Sequence, residues 1–334
     1  MKLFKVLALL ALVIVCSNQS YSQSLVFDNP IAEKRADPWV YKTEKGEYYL
    51  IATVPEYDRI VIRKANSING LKDAQEVEVW TKHVKGVMGH HIWAPELHKI
   101  GRKWYIYFAA GEAENIWNIR MWVLSNDSED PMQGEWVEEG MIETAKSSFS
   151  LDATTFENKG KRYLIWAQNV RGGDHGTALV MSEMKGPTTI IGREVVLTEP
   201  EFNWERMKYN VNEGPAVLKR NGKIFVTYSA SATNHNYCMG MLWIDENDDL
   251  LDAANWHKSP GPVFYTNEDL KRFGPGHNSF TIAEDGETVI MIYHARDYKG
   301  IQGHELSDPN RATRARVVEW TASGFPDFMQ NNED

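Results

Sequence analysis

Ala216-Val217-Leu218-Lys219-Arg220-Asn221-Gly222-Lys223-Ile224-Phe225-Val226-Thr227-Tyr228 decides how the rest of this chain is read. β-Branched, aliphatic and aromatic residues stand on both sides of Asn221-Gly222, a dipeptide suited to a type I′ turn because both central residues of that turn need positive φ. The segment reads as two short antiparallel strands. Four further segments share the design. Trp39-Val40-Tyr41 and Tyr48-Tyr49-Leu50-Ile51-Ala52 flank Gly46, and Leu97-His98-Lys99 and Trp104-Tyr105-Ile106-Tyr107-Phe108 flank Gly101. Thr154-Thr155-Phe156 and Tyr163-Leu164-Ile165-Trp166 flank Gly160, and Phe280-Thr281-Ile282 and Val289-Ile290-Met291-Ile292-Tyr293 flank Asp285-Gly286.

These hairpins recur about every sixty residues, a period that signals stacked units each unable to bury its own apolar face. A third strand is expected in each unit, at 60–63, 119–124, 178–181, 239–243 and 316–320, and a fourth at 77–80, 135–137 and 194–197. Helical patterning is nearly absent, and parallel β-helix repeats are far shorter. The expected fold is an all-β, five-bladed β-propeller of four-stranded antiparallel blades around a central channel. How the last blade closes on the first is not legible.

Eight or nine residues before each hairpin glycine stands one landmark residue: Asp37, Trp93, Asp152, Glu213 and His277. The first strand of a propeller blade is the innermost, so this register gathers the five at one end of the channel. An acidic residue at one strand start is ordinarily a solvated turn residue. Three at one register repel one another unless solvent, a cation or a reaction compensates. Glycoside hydrolysis needs such a set: one carboxyl protonated to serve the leaving oxygen, one ionised, and a third charge able to raise the acid's pKa.

The first residues read as an export signal. Lys2 and Lys5 precede a ten-residue apolar run from Val6 to Val15, short for a bilayer span, and Ser20-Tyr21-Ser22 offers small residues for cleavage near Ser22. The expected division is a signal peptide over 1–22 and one propeller domain over 25–328, exported to the periplasm or beyond. Cys16 follows Val15 where a lipoprotein signal wants a small residue, which argues against lipid anchoring. Cys238 is then left without a disulfide partner and is expected to be a packed core thiol. A dispersed net charge of −10 argues against nucleic acid or an anionic membrane as partner. Twelve Trp, fourteen Tyr and twelve Phe serve cores first, and in an exported chain they also suit carbohydrate stacking. No P-loop, dinucleotide glycine motif, CxxC or HExxH is present, so no organic cofactor is expected.

Several stretches together resemble glycoside hydrolase family 43. They are Arg35-Ala36-Asp37-Pro38 with Gly46-Glu47-Tyr48-Tyr49, His91-Ile92-Trp93-Ala94-Pro95-Glu96, Leu151-Asp152-Ala153-Thr154, Asn212-Glu213-Gly214-Pro215 and Gly274-Pro275-Gly276-His277-Asn278-Ser279. Tyr228-Ser229-Ala230-Ser231-Ala232 followed by Tyr237-Cys238-Met239-Gly240 adds to the likeness, which runs in order from about Arg35 to Arg316. The resemblance implies a five-bladed propeller of inverting enzymes that release arabinose or xylose from plant polysaccharides. It makes Asp37 the general base, Glu213 the general acid and Asp152 the modulator of the acid's pKa. The leading expectation is an exo-acting α-L-arabinofuranosidase on arabinose- or xylose-containing oligo- or polysaccharides. β-Xylosidase, another furanosidase such as a galactofuranosidase, endo-arabinanase and a non-catalytic sugar-binding propeller are the alternatives.

His277 has two readings, a channel-filling imidazole or, as the resemblance implies, a contributor to a structural calcium site completed by waters. Trp93 is either a pocket wall or a blade-core tryptophan. His91 and Trp166 are candidate substrate contacts, with His90, Gln168, Trp204 and His235 near the same rim. Arg296 resembles a fifth-blade arginine that touches substrate hydroxyls or the acid. Arg311, Arg314 and Arg316 read as a solvated run. The stretch between Asn169 and Asn212 and the loop from Tyr298 to Arg311 are candidates to close the pocket.

Overall fold

The computed structural model describes residues 25–173 and 176–333. The expected export segment, with Cys16, lies outside the described residues. Four sheets each have four antiparallel strands in chain order. The first holds β1 (Ala36–Lys42), β2 (Tyr48–Thr53), β3 (Arg59–Ala65) and β4 (Glu76–Thr81). The second holds β5 (His90–Ile100), β6 (Lys103–Gly111), β7 (Arg120–Asn126) and β8 (Val137–Met141). The third holds β9 (Ser150–Asn158), β10 (Lys161–Gln168), β11 (Ala178–Gly186) and β12 (Thr189–Thr198). In the fourth are β13 (Asn212–Arg220), β14 (Lys223–Ala230), β15 (Cys238–Asp245) and β16 (His257–Lys258). The fifth sheet has three strands, β17 (Phe273–Ile282), β18 (Val289–Arg296) and β19 (Ala312–Val317). Its outer position is taken by the N-terminal segment, where Ala32 bridges Thr313 and Asn29 bonds both backbone polar groups of Ala315. That pairing closes the ring.

The opening strands pack on one another in a closed circuit, β1 on β5 and β17, β13 on β9 and β17, and β5 on β9. This is the expected five-bladed propeller. Its apolar interior is divided into five clusters, one at each blade interface: Ile51 with Trp104, Tyr107 with Trp166, Ile165 with Val226, Phe225 with Met291, and Ile290 with Leu50. Burying both faces of every sheet explains why the middle strands read as nearly unbroken apolar runs. Buried Cys238 lies in one of these clusters.

Asn221 and Gly222 both have positive φ, as a type I′ turn requires. Asp285-Gly286 differs, since only the glycine is left-handed. Asp285 instead accepts hydrogen bonds from the Glu287 and Thr288 amides. The fourth strand expected at 135–137 begins only at Val137. The last third strand is also displaced, to Ala312–Val317, because pairing with the N-terminal segment starts at Thr313. That shift draws Arg311 and Arg316 into the structure. Both are buried, with Arg316 donating to the Met329 carbonyl, so the solvated-run expectation fails for them.

Candidate active site

Every opening strand carries a β-bulge near its start, with register shifts between Ala36 and Trp39, Trp93 and Glu96, Glu213 and Ala216, and Gly276 and Ser279, and a matching shift opposite Asp152. At each bulge one residue is left-handed: Asp37 (φ 53°), Ala94 (44°), Asp152 (56°), Gly214 (55°) and His277 (43°). In blades 1, 3 and 5 that residue is the landmark itself. Trp93 and Glu213 stand one position earlier. Left-handed backbone at a non-glycine residue costs about 1–2 kcal/mol, and bulges beside active sites re-aim side chains. Repetition of the device on all five inner strands brings Asp37, Trp93, Asp152, Glu213 and His277 into one pocket of about 590 Å³.

Asp37 is buried and densely partnered. Thr53 Oγ1 donates to its Oδ2 (2.7 Å), Arg311 Nη1 to its Oδ1 (3.2 Å), and its own amide donates to His294 Nδ1 (3.0 Å). Burial alone would raise its pKa. The Arg311 charge, the neighbouring His277 and His294 rings and the Thr53 hydroxyl outweigh that and hold the carboxyl well below its ordinary range. Burial keeps both imidazoles below their usual pKa, which leaves Arg311 as the compensating cation.

The other two acids shift upward. Glu213 accepts from Tyr237 Oη (2.7 Å), and burial, with the Asp37 charge, raises it to about 7. Asp152 accepts from the Gly214 amide (2.9 Å), and burial followed by the charges of Glu213 and Asp37 pushes it well up. The two act as a pair that retains a proton where an isolated carboxyl has lost it. One ionised carboxylate thus faces a protonated partner across a single pocket, the division of labour that acid–base hydrolysis requires.

Trp93 forms part of the wall, stacked on His91 at 4.2 Å and edge-on to Tyr57. His91 lies behind it, its Nδ1 bonded to the Ile116 carbonyl, and burial lowers its pKa to about 4. It supports the wall and does not line it. Two expected contacts stand elsewhere. Trp166 is fully buried between blades 2 and 3 and bonds Gln168, because its position on a middle strand turns it into the interblade layer. Arg296 is held by Asp308 and by the Thr233 and Glu305 carbonyls, so it braces the 298–311 loop from beneath. Both loops expected at the rim reach the pocket, through Asn169, Tyr209, Glu305 and Leu306.

A family model described as glycosyl hydrolases family 43 matches residues 27–326. This chain belongs to that family. An extracellular exo-α-(1→5)-L-arabinofuranosidase of Streptomyces avermitilis is 54% identical over 307 residues, covering 92% of this chain and 64% of the relative. The chain therefore spans slightly less than two thirds of that protein. An enzyme of the same description from Streptomyces chartreusis is 54% identical over 277 residues, 83% of this chain and 84% of the relative. Among solved structures, an α-L-arabinofuranosidase from Lactobacillus brevis superposes with a TM-score of 0.89 at 46% identity, covering 92% of this chain and 97% of that one.

Sequence reasoning left four members of this family 43 site without a role. Arg311 was hidden in an arginine run, and Tyr237 was visible only as part of a motif. His294 sits inside an apolar strand, and Trp117 lies on the loop between β6 and β7, half-exposed at the pocket mouth. Only Trp117, an aromatic in a polar loop, carries a local signal. For calcium the donors are sparse. His277 offers nitrogen where calcium takes six to eight oxygens, its Nδ1 is 3.4 Å from Asp37, and no three acidic, His or Cys side chains cluster as a metal site among the described residues. These side chains alone do not fit the ion, and the chemistry below runs without it.

Proposed function

We propose that this chain is an exported, inverting, exo-acting α-L-arabinofuranosidase that removes terminal arabinofuranosyl residues from arabinose-containing oligo- or polysaccharides. The observation that carries the chemistry is the opposed shift of two carboxyls in one pocket, Asp37 down and Glu213 up to about 7. Asp37 takes a proton from water as the water oxygen bonds the anomeric carbon. Glu213 delivers its proton to the glycosidic oxygen as that bond breaks. Asp152, ionised when the pair's proton sits on Glu213, disfavours loss of that proton.

The relatives' names support arabinose as the sugar and export as the location, in keeping with the signal-like first residues. Exo action is supported by the rim. Lys208 Nζ bridges both Glu305 oxygens (2.8 and 2.9 Å), and Tyr57 Oη donates to the Leu306 carbonyl, so the 298–311 loop is tied to blade 1 and to the connection between blades 3 and 4 around the pocket.

Hydrolysis of p-nitrophenyl α-L-arabinofuranoside against the β-D-xylopyranoside, with the first-formed anomer read by NMR, tests the proposal. Inverted arabinose is the expected product, and linear arabinan should release only the monosaccharide. Preference for the xyloside, release of oligosaccharides from arabinan, or binding without turnover would each replace it with one of the other readings.

A further inference from the structure

Behind the acid and the base, two rings lie face to face. Tyr237 and His294 are stacked with centroids 5.6 Å apart and planes 5° from parallel, within the offset-stacking range of aromatic pairs. Both are essentially without solvent exposure. A polar atom of each ring meets one of the two groups, Tyr237 Oη donating to Glu213 Oε1 at 2.7 Å and His294 Nδ1 accepting the Asp37 amide at 3.0 Å.

We infer that Tyr237 and His294 form a positioning couple that fixes the separation and orientation of the general acid and general base. The inference rests on the roles proposed above for Glu213 and Asp37. The Asp37 amide can only donate, so the imidazole is the tautomer with its lone pair at Nδ1. Nε2 makes no hydrogen bond among the described residues, which leaves Asp37 as the ring's polar partner. That contact anchors a backbone held at φ 53°. The tyrosine is wedged as well. A Cβ on Gly276 would stand 2.6 Å from two Tyr237 ring carbons, so glycine there leaves room for the ring to lie flat on His294. The chain of contacts is continuous: the Asp37 amide, the His294 ring, the Tyr237 ring and its hydroxyl, and Glu213. Blades 1, 4 and 5 are linked by it at the point where their acids must be in register.

Three variants test the couple in the full-length chain, with Glu213→Gln as the reference. Tyr237→Phe keeps the stack and loses the donor. It should lower kcat about 10- to 100-fold on a poor leaving group, the scale of a hydrogen bond to the carboxylate charge that forms as Glu213 gives up its proton. The loss on an activated aryl glycoside should be much smaller, with KM unchanged. His294→Asn places an amide oxygen close to Nδ1, whereas His294→Gln places it near Nε2. The asparagine variant should retain at least 10-fold more activity than the glutamine variant on both substrates, because the base serves both. Equal losses on both leaving groups in Tyr237→Phe, or equal activities of the two histidine variants at unchanged melting temperature, overturn the couple. Should neither histidine variant fold, Tyr237→Phe decides alone. If Glu213→Gln itself shows no leaving-group dependence, the acid assignment has failed rather than the couple.

Discussion

Arg311 Nη1 lies 3.2 Å from Asp37 Oδ1, and both side chains are buried although 274 residues separate them. The contact joins the first opening strand to the residue just before β19. It supplies the positive charge that keeps a buried carboxylate ionised beside two other acids.

Replacing Arg311 by Met should therefore move the acidic limb of kcat/KM to higher pH. Asp37, the base in the proposed mechanism, must be ionised; Arg311 depresses its pKa, and without the cation burial dominates and raises it. The same depression contributes stability that is present above the ordinary aspartate pKa of about 3.9 and is lost as pH falls through the folded value. Stripping one partner from a buried pair costs about 3–5 kcal/mol, so melting should be followed alongside the profile. A limb that stays in place would detach Arg311 from the base.

Glu213→Gln should leave activated aryl glycosides far less affected than natural linkages, because a good leaving group needs little protonation. The loss on a poor leaving group should reach about 10²- to 10⁴-fold. In the unmodified enzyme the alkaline limb should fall near pH 7, where Glu213 gives up its proton. Matched losses on both substrates would remove it from the acid's role.

Asp152 shares the pair's proton with Glu213 and is charged whenever that proton sits on Glu213, so Asp152→Asn removes this charge and the alkaline limb should shift to lower pH while activity drops. Both carboxyls of the pair are raised in the folded state. Their stabilising contribution is complete below about pH 4 and declines as pH rises through the folded values. The variant should therefore melt no lower than the parent near neutral pH. A lower melting temperature with an unmoved limb would make Asp152 a structural anchor for the Gly214 amide.

Two tryptophans make a contrast. Trp93→Ala removes a pocket wall and should raise KM several-fold with modest effect on melting. Trp166→Ala empties the layer between blades 2 and 3 and should cost about 3–5 kcal/mol of stability. Parallel titrations and thermal melts of the two variants separate wall from core.

The Lys208–Glu305 pair is half-exposed on the lysine side, so Lys208→Ala should change stability by about 1 kcal/mol or less. Its effect should fall on KM for the terminal glycoside, which rises as the rim loosens, and added salt should mimic the substitution in the parent enzyme. An unaltered KM would take the pair out of pocket closure.

Much of this protein was legible in one dimension because its repeating information is local. The Asn221-Gly222 turn, the aromatic strands after each glycine and the landmarks eight or nine residues before them lie within single hairpins, so neighbours in the chain specify them. Blade number, the order of the opening strands and the identity of the three acids follow from that. Which tryptophan reaches the pocket did not follow. Trp93 and Trp166 both occupy strands near the rim, and the blade face each joins depends on bulges and side alternation that composition does not reveal.

Contacts across the ring were decided only by the tertiary structure. Arg311 reads as one of three similar arginines until N-terminal pairing at Thr313 sets its register. His294 reads as a strand residue until the Asp37 amide arrives from 257 positions away. The opposed carboxyl pKa shifts belong to the same class. Sequence by itself determined which acids exist and that they meet. Burial, Arg311 and the distances around each carboxyl, which exist only once five blades close, decided which is ionised and which holds a proton.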